Sequence, residues 1–286
     1  MPLFNDQGKS RHVVRLRTVV ILFFLILFAI ATLFPIYYMI VSSFADPVQA
    51  GTAARSLIPV KFTFSSFAFF LSYSKYSWRW LFNSLFIAVV TMVGNVVFCA
   101  MAGYAFAKIK LPGGNIVFWL LLCSMMVPYQ ATQVPLYILV VNVMHMQNTY
   151  SALILPSICA IYNVFLAKQF ISTLPNEIIE CAKMEGCNQF QIFVKIIIPL
   201  SATVLAVMAI FTFMDTWNTF FWPFLVTSTS AMNTIQVGLK NFMFMNTTYY
   251  APMMAGATLS SLPMLILFFC LQKYFLQGIT VGALKG

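Results

Sequence analysis

Glu180-Cys181-Ala182-Lys183-Met184-Glu185-Gly186, closed by Ile196-Ile197-Ile198-Pro199, is a polar break between two apolar runs, Ser151–Ala167 and Ile196–Phe220. With Glu177 it holds three of the chain's six acidic residues. Pro175 is a helix-start signal, and Asn176 is placed to cap the first turn with its side-chain oxygen. Glu177 and Glu180 then stand near the positive end of the helix dipole. Ile178, Cys181, Ala182 and Glu185 share one face at helical spacing, and Gly186 ends the helix as a residue free to take positive φ. Asn188 with Gln191 reads as a capping box for a second helix, continued by Ile192, Phe193 and Ile196 and kinked by Pro199. The expected product is a short helix, a tight turn and a second helix that feeds into an apolar span. Such a rigid element can pass force to the spans at either end, and its clustered charge suggests a docking surface.

Composition explains the flanks. The chain of 286 residues is 61% hydrophobic and 8% charged, with mean hydropathy +0.90 and 30 phenylalanines. A soluble domain would carry roughly a quarter charged residues. Runs of about 20 apolar residues read as spanning helices, because non-helical backbone cannot face lipid. Six such runs are expected: Thr18–Val41, Trp80–Phe106, Ile116–Val140, Ser151–Ala167, Ile196–Phe220 and Ala255–Tyr274. The fold class is therefore all-α, a polytopic membrane protein with six transmembrane helices.

The net charge of +10 reads as topology rather than nucleic-acid binding, since Lys and Arg collect on cytoplasmic flanks. Lys9, Arg11, Arg15, Arg17, Lys108, Lys110, Lys168, Lys183, Lys195, Lys273 and Lys285 fall on one side of the six spans. Arg55, Lys61, Lys75, Arg79 and Lys240 fall on the other, so both termini are expected in the cytoplasm. No cleavable signal peptide is expected, because the first apolar run is long enough to span and no small-residue cleavage site follows it. Cys99, Cys123, Cys159, Cys181, Cys187 and Cys270 read as small apolar fillers, with neither disulfide nor zinc spacing.

Along the chain, Pro35 lies in the first span and an external segment runs from Phe44 to about Trp78. Tyr73, Tyr76, Trp78 and Trp80 form an interfacial aromatic belt at the second span. Asn83, Gly94, Asn95 and Gly103 suit close helix packing there. Pro128 and Pro135 make the third span irregular, and a second external segment runs from Phe221 to about Pro252. No inverted repeat and no linker divide the chain, so residues 1–286 are expected to form one transmembrane domain.

Glu-x-Ala-x-x-x-Gly, followed nine residues on by Ile-x-Ile-Pro, resembles the signature loop of bacterial ABC importer permeases. Cys181, Glu185 and Ile198 depart from the usual Ala, Asp and Leu, each conservatively. Asn83-Ser84-Leu85, Ala102-Gly103-Tyr104-Ala105-Phe106-Ala107, Met126-Val127-Pro128-Tyr129-Gln130 and Pro135-Leu136-Tyr137 resemble carbohydrate-uptake permeases. So do Asn148-Thr149-Tyr150, Leu155-Pro156, Trp217-Asn218 and the terminal Gly282-Ala283-Leu284-Lys285-Gly286. The type is similar to the smaller of the two unlike permeases of the maltose importer.

That resemblance implies an ABC importer permease fold with a core about residues 80–276 and a cytoplasmic coupling-helix loop about residues 169–199. It implies a bacterial cytoplasmic membrane location, a second and different permease, two ATP-binding subunits at the loop, and an extracytoplasmic sugar-binding protein. Glu180, Ala182, Glu185 and Gly186 are the ATPase-coupling residues, with Glu180 expected to pair with an ATPase arginine. The segment Thr227 to Tyr250 resembles a loop that reaches toward the binding protein. The chain itself has no phosphate loop with Lys-Ser/Thr, so ATP is expected to be hydrolysed by the partners, with no cofactor or metal on this chain.

Sugar sites combine aromatic rings with amides and carboxylates. Asn83, Tyr129, Gln130, Gln133, Asn163, Asp215, Trp217 and Asn218 are candidates for the substrate pathway. Each has a second reading, since amides in spans bond helices together, Tyr and Trp form belts, and a proline-flanked polar stretch can serve its own backbone. Asp215 stands out because intramembrane acids are costly and rarely idle. A permease for another small polar solute, such as a sugar phosphate, amino acid or peptide, shares the loop. A membrane enzyme would need an acid–base or metal constellation, yet His12 and His145 lie far apart in sequence. A proton-coupled carrier would need more ionisable residues within its spans.

Overall fold

The computed structural model describes residues 7–46, 61–243 and 249–283. Arg55 and residues 47–60 of the first external segment lie outside the described residues, as do residues 244–248 and Leu284-Lys285-Gly286 of the tail. The described elements are helical, and no strand occurs among the described residues. Helices α1 (Gln7–Ser43) and α2 (Ser65–Tyr73) precede the long α3 (Ser77–Lys108). They are followed by α4 (Gly114–Ser124), α5 (Tyr129–Tyr137), α6 (Tyr150–Ile154) and α7 (Ile161–Ser172). Next come α8 (Asn176–Met184), α9 (Gln189–Ile192), α10 (Ile198–Leu200) and α11 (Ala202–Asn218). The last are α12 (Phe221–Val226), α13 (Ile235–Lys240) and α14 (Tyr250–Ala283).

Three helices are long and apolar enough to cross a membrane unbroken: Thr18–Ser43 of α1, all of α3, and Tyr250–Cys270 of α14. Three further spans are broken pairs, which makes six crossings when each pair counts as one. Gly114–Ser124 and Tyr129–Val143 meet at 97°, Tyr150–Ser157 and Ile161–Ser172 at 41°, and Gln189–Leu200 and Ala202–Asn218 at 81°. The expected spans Ile116–Val140 and Ile196–Phe220 are therefore sharp corners rather than kinked rods. Proline explains both. Pro128 at ψ 130 caps α5 from an extended conformation, and the last turn of α4 tightens into i→i−3 bonds such as Val127 N–H to Ser124 O, 3.2 Å. At the other corner Pro199 lies within α10, and the chain turns at Ser201.

Contacts divide the chain into two units, one up to Phe70 with Phe242–Leu259 and one of Leu71–Asn241 with the segment from Ser260 onward. In the first unit, none of the apolar window of Thr18–Ser43 is buried. The Phe44 ring meets Phe62, Phe64 and Phe67, and Ser66 Oγ donates to Ala45 O at 2.6 Å.

In the second unit α3 is the axis, packed mainly on α7 and α11. Gly103 permits this, because a Cβ there would lie 2.5 Å from Ala167 Cβ and 2.8 Å from the Lys168 backbone nitrogen. One layer away, Asn163 Nδ2 donates to Asn95 Oδ1 at 2.6 Å and to Thr212 Oγ1 at 2.9 Å, while Asn95 Nδ2 donates to Ser157 O at 3.0 Å. These bonds tie α3, α7 and α11 together, so Asn163 follows the helix-bonding alternative to the pathway reading. The cysteines need correction: Cys99 is buried, but Cys123, Cys159, Cys181 and Cys270 are exposed rather than packed as fillers.

Candidate functional site

The Glu180–Gly186 stretch is built largely as local chemistry dictates. Helix α8 ends in a Schellman motif: Cys187 N–H donates to Ala182 O and Gly186 N–H to Lys183 O, both 3.0 Å, with Gly186 at φ 83. Asn188 and Gln191 form the full capping box of α9, with both bonds at 2.9 Å. Asn188→Ala removes that box, and the purified protein should lose about 1 kcal/mol; thermal unfolding in detergent measures this, and an unchanged midpoint refutes it.

Two expectations here need correction. Asn176 does not cap α8; it is the first helical residue, and its Oδ1 accepts from Lys108 Nζ at 2.8 Å. The buried stripe of α8 runs through Ile179 and Ala182, while Ile178, Cys181 and Glu185 lie on the exposed side. Tertiary packing sets that phase. Ile179, Ala182, Ile192 and Phe193 join Cys99, Tyr104, Ala167 and Ile171 in one apolar cluster.

The end of α3 braces the loop at both of its helices. Lys108 Nζ donates to Leu174 O at 2.6 Å as well as to Asn176, and Tyr104 Oη donates to Gln189 Oε1 at 2.7 Å. The Tyr104 ring also rests on Phe193, centroids 5.7 Å apart. Glu180, Glu185 and Gly186 remain exposed, and Met184 beside them is 89% exposed. The loop is thus apolar and anchored on one side, acidic and open on the other.

The pathway candidates separate. Tyr129 and Asp215 line a cavity of about 230 Å³ with Ser157, Thr216, Trp222 and Thr234. Gln133 is buried between Tyr129 and Leu136 along α5, and neither atom of its amide has a hydrogen-bond partner. Gln130 and Asn218 are exposed outside that lining. Asn83 is wholly buried; its Nδ2 donates to Ala231 O at 3.0 Å and Asn233 O at 2.9 Å, and its Oδ1 accepts from Tyr150 Oη at 2.7 Å. Trp217 is also buried, stacked on Phe213, with Nε1 donating to Ser260 O at 3.0 Å. Asn83 and Trp217 are therefore bonded into the scaffold.

Thr234 was not evident from sequence. It lies beyond α12, and the bonds from Ile235 N–H to Ser84 Oγ, 2.8 Å, and from Asn83 Nδ2 to Asn233 O, on either side of it, draw it onto α3. Asn148 of the Asn-Thr-Tyr motif holds the same segment, as does Trp80, which is wholly buried rather than part of an interfacial belt. Asn148, at φ 59, accepts from Ser228 N at 2.7 Å and Thr229 N at 3.0 Å, and Trp80 Nε1 donates to Ser230 O at 2.7 Å.

Six apolar crossings, a broken third and fifth span, and an anchored helix–glycine–helix loop define a polytopic membrane permease. The family model for binding-protein-dependent transport system inner membrane components matches residues 95–281, and the chain belongs to that family. The arabinooligosaccharides transport system permease protein AraQ of Halalkalibacterium halodurans is 34% identical over 260 residues, covering 90% of this chain and 93% of that one. AraQ of Bacillus subtilis is 33% identical over 272 residues, covering 94% and 96%. The sn-glycerol-3-phosphate transport system permease protein UgpE of Yersinia enterocolitica is 29% identical over 262 residues, covering 89% and 93%. A solved bacterial ABC transporter involved in the import of the acidic polysaccharide alginate shares the fold, with TM-score 0.78, 22% identity, and coverage of 96% and 100%. The chain is a bacterial membrane transport component and not an enzyme.

Proposed function

We propose that this chain is one of two unlike permeases of an ATP-driven sugar importer, and that the α8–Gly186–α9 loop is where the ATPases act on it. The single observation that carries this reading is the two-sided loop. Its inner face continues the span core through Ile179, Ala182 and Ile192, while Glu180, Met184 and Glu185 stand free outside. A load on the outer face therefore passes into α3 through Tyr104 and Lys108 and into α11 through the corner at Pro199.

Glu180 pairs with an ATPase arginine, and Gly186 lets the turn sit close in the ATPase cleft. ATP is bound and hydrolysed by the partners, this chain carries no cofactor, and a sugar-binding protein delivers solute from outside. Both termini and the loop face the cytoplasm. The sugar class is supported by the arabinooligosaccharide permeases at 33% and 34% identity, against 29% for the glycerol-phosphate permease.

Uptake into membrane vesicles tests the reading. Accumulation should require ATP, the second permease, the ATPases and the binding protein together. Transport by the lone chain on a proton gradient would overturn it. The brace has its own test. Tyr104→Phe removes the bond to Gln189 but keeps the ring on Phe193, so uptake per ATP hydrolysed should fall about twofold to tenfold, as loss of one hydrogen bond near 1 kcal/mol allows. An unchanged ratio in reconstituted importer would show that the brace carries no force.

A further inference from the structure

The wall of the 230 Å³ cavity holds two polar groups that the scaffold does not use, and a third lies beside it on α5. Asp215 stands on it from α11; beyond the helix ladder its bonds run through the main-chain carbonyl, to Thr219 N and Oγ1, which leaves the carboxylate open. Thr234 is 5% exposed, lines the same cavity, and its Oγ1 has no hydrogen-bond partner among the described residues. Gln133 shares the helical stripe of the lining residues Tyr129 and Leu136, and its amide is likewise unbonded. Buried polar groups are nearly always paired, so the unpaired Thr234 hydroxyl and Gln133 amide, beside the exposed Asp215 carboxylate, point to a ligand that pairs them. Among the described residues, the lining holds no Lys, Arg or His.

We propose that this cavity is a subsite for an uncharged, hydroxyl-rich solute, where Asp215 accepts from sugar hydroxyls and turns away phosphate esters and other anions. The proposal rests on the reading of the chain as an importer permease and names the substrate class at its pathway. A carboxylate can only accept, and hydroxyls donate to it; a phosphate would set acceptor against acceptor and charge against like charge. The Tyr129 ring offers an apolar face for the C–H side of a sugar. The hollow is smaller than the roughly 300–1,000 Å³ of sites for drug-sized ligands, so one sugar ring occupies it at a time.

Thr234→Cys in the assembled importer, in vesicles, tests this with probes of defined charge. Modification at position 234 is read by peptide mass spectrometry, which leaves the native cysteines in place. The probes are a glucosyl methanethiosulfonate, which is neutral, and sulfonatoethyl methanethiosulfonate, which is an anion. The anion should react about tenfold more slowly, and adding Asp215→Asn should bring the two rates within about twofold, since a fixed charge in a low-dielectric cleft governs local ion concentration. Equal rates with Asp215 present overturn the proposal while leaving the importer reading intact. No reaction with either probe means that solute does not reach the cavity, which overturns the proposal and moves the pathway elsewhere. ATP-driven uptake of radiolabelled sn-glycerol 3-phosphate by the unmodified importer also overturns it, whereas failure of uptake to depend on ATP and the partner subunits strikes the importer reading itself.

Discussion

Gly186→Asp is expected to abolish uptake while leaving the chain inserted and folded. The backbone there sits at φ 83, and an added Cβ would meet nothing within 4 Å in this chain. A non-glycine residue in that region costs about 1–2 kcal/mol, which weakens the turn without dismantling six spans. The larger effect falls outside the chain, where a carboxylate and its bulk would stand in the space that the turn leaves for an ATPase. Glu180→Ala should act from the same exposed face, because truncating one side of a desolvated ion pair costs about 2–5 kcal/mol. Uptake by vesicles containing equal amounts of each variant measures both. Normal uptake by the well-inserted variants would remove the docking role from this loop.

Gly103→Val should have the largest effect on folding. Replacing a mid-helix glycine ordinarily gains up to about 1 kcal/mol of helix propensity. Here the new Cβ lands 2.5 Å from Ala167 Cβ and 2.8 Å from the Lys168 backbone nitrogen, so α3 and α7 must part. Overpacking of this kind costs about 1–3 kcal/mol, and Val adds two methyls to a contact that is already closed. Parting the helices also strains the Asn163 bonds to Asn95 and Thr212 one layer away. The variant should show a lower thermal midpoint in detergent and lower amounts in the membrane. Gly94→Ala is a useful contrast. Its Cβ would approach Ile158 Cγ1 at 2.7 Å, a side chain that can rotate aside, so its midpoint should fall less. Equal losses would show that backbone approach is not what Gly103 protects.

The residues that the sequence read well are those whose partners lie within a few positions. The capping box of Asn188 and Gln191 spans three residues, and Gly186 closes a helix whose acceptors, Ala182 and Lys183, are four and three residues back. Asn176 does not cap its helix because a remote donor competes: Lys108 Nζ, 68 residues earlier, takes the oxygen that would have capped it. The phase of α8 is likewise set from a distance. Ile178 and Ile179 are equally apolar, and only the cluster around Tyr104 and Ile171 selects Ile179.

The same distinction divides the two candidate sites. By itself the sequence determined the helical class, the six spans, the places near Pro128 and Pro199 where two of them depart from straight helix though not the sharpness of the corners, and the acidic helix–glycine–helix loop. Hydropathy, proline geometry and capping are properties of neighbouring residues, so they can be read in order along the chain. Tertiary structure alone decided which polar residues are consumed and which are left open. Asn83 is bonded to Asn233, 150 residues away, and Asn163 to Thr212, 49 away, whereas Asp215, Thr234 and Gln133 keep groups unpaired. A polar side chain in a span costs the same to bury wherever its partner lies in sequence, and only the packing of α3, α5, α7 and α11 settles whether that partner is protein or solute.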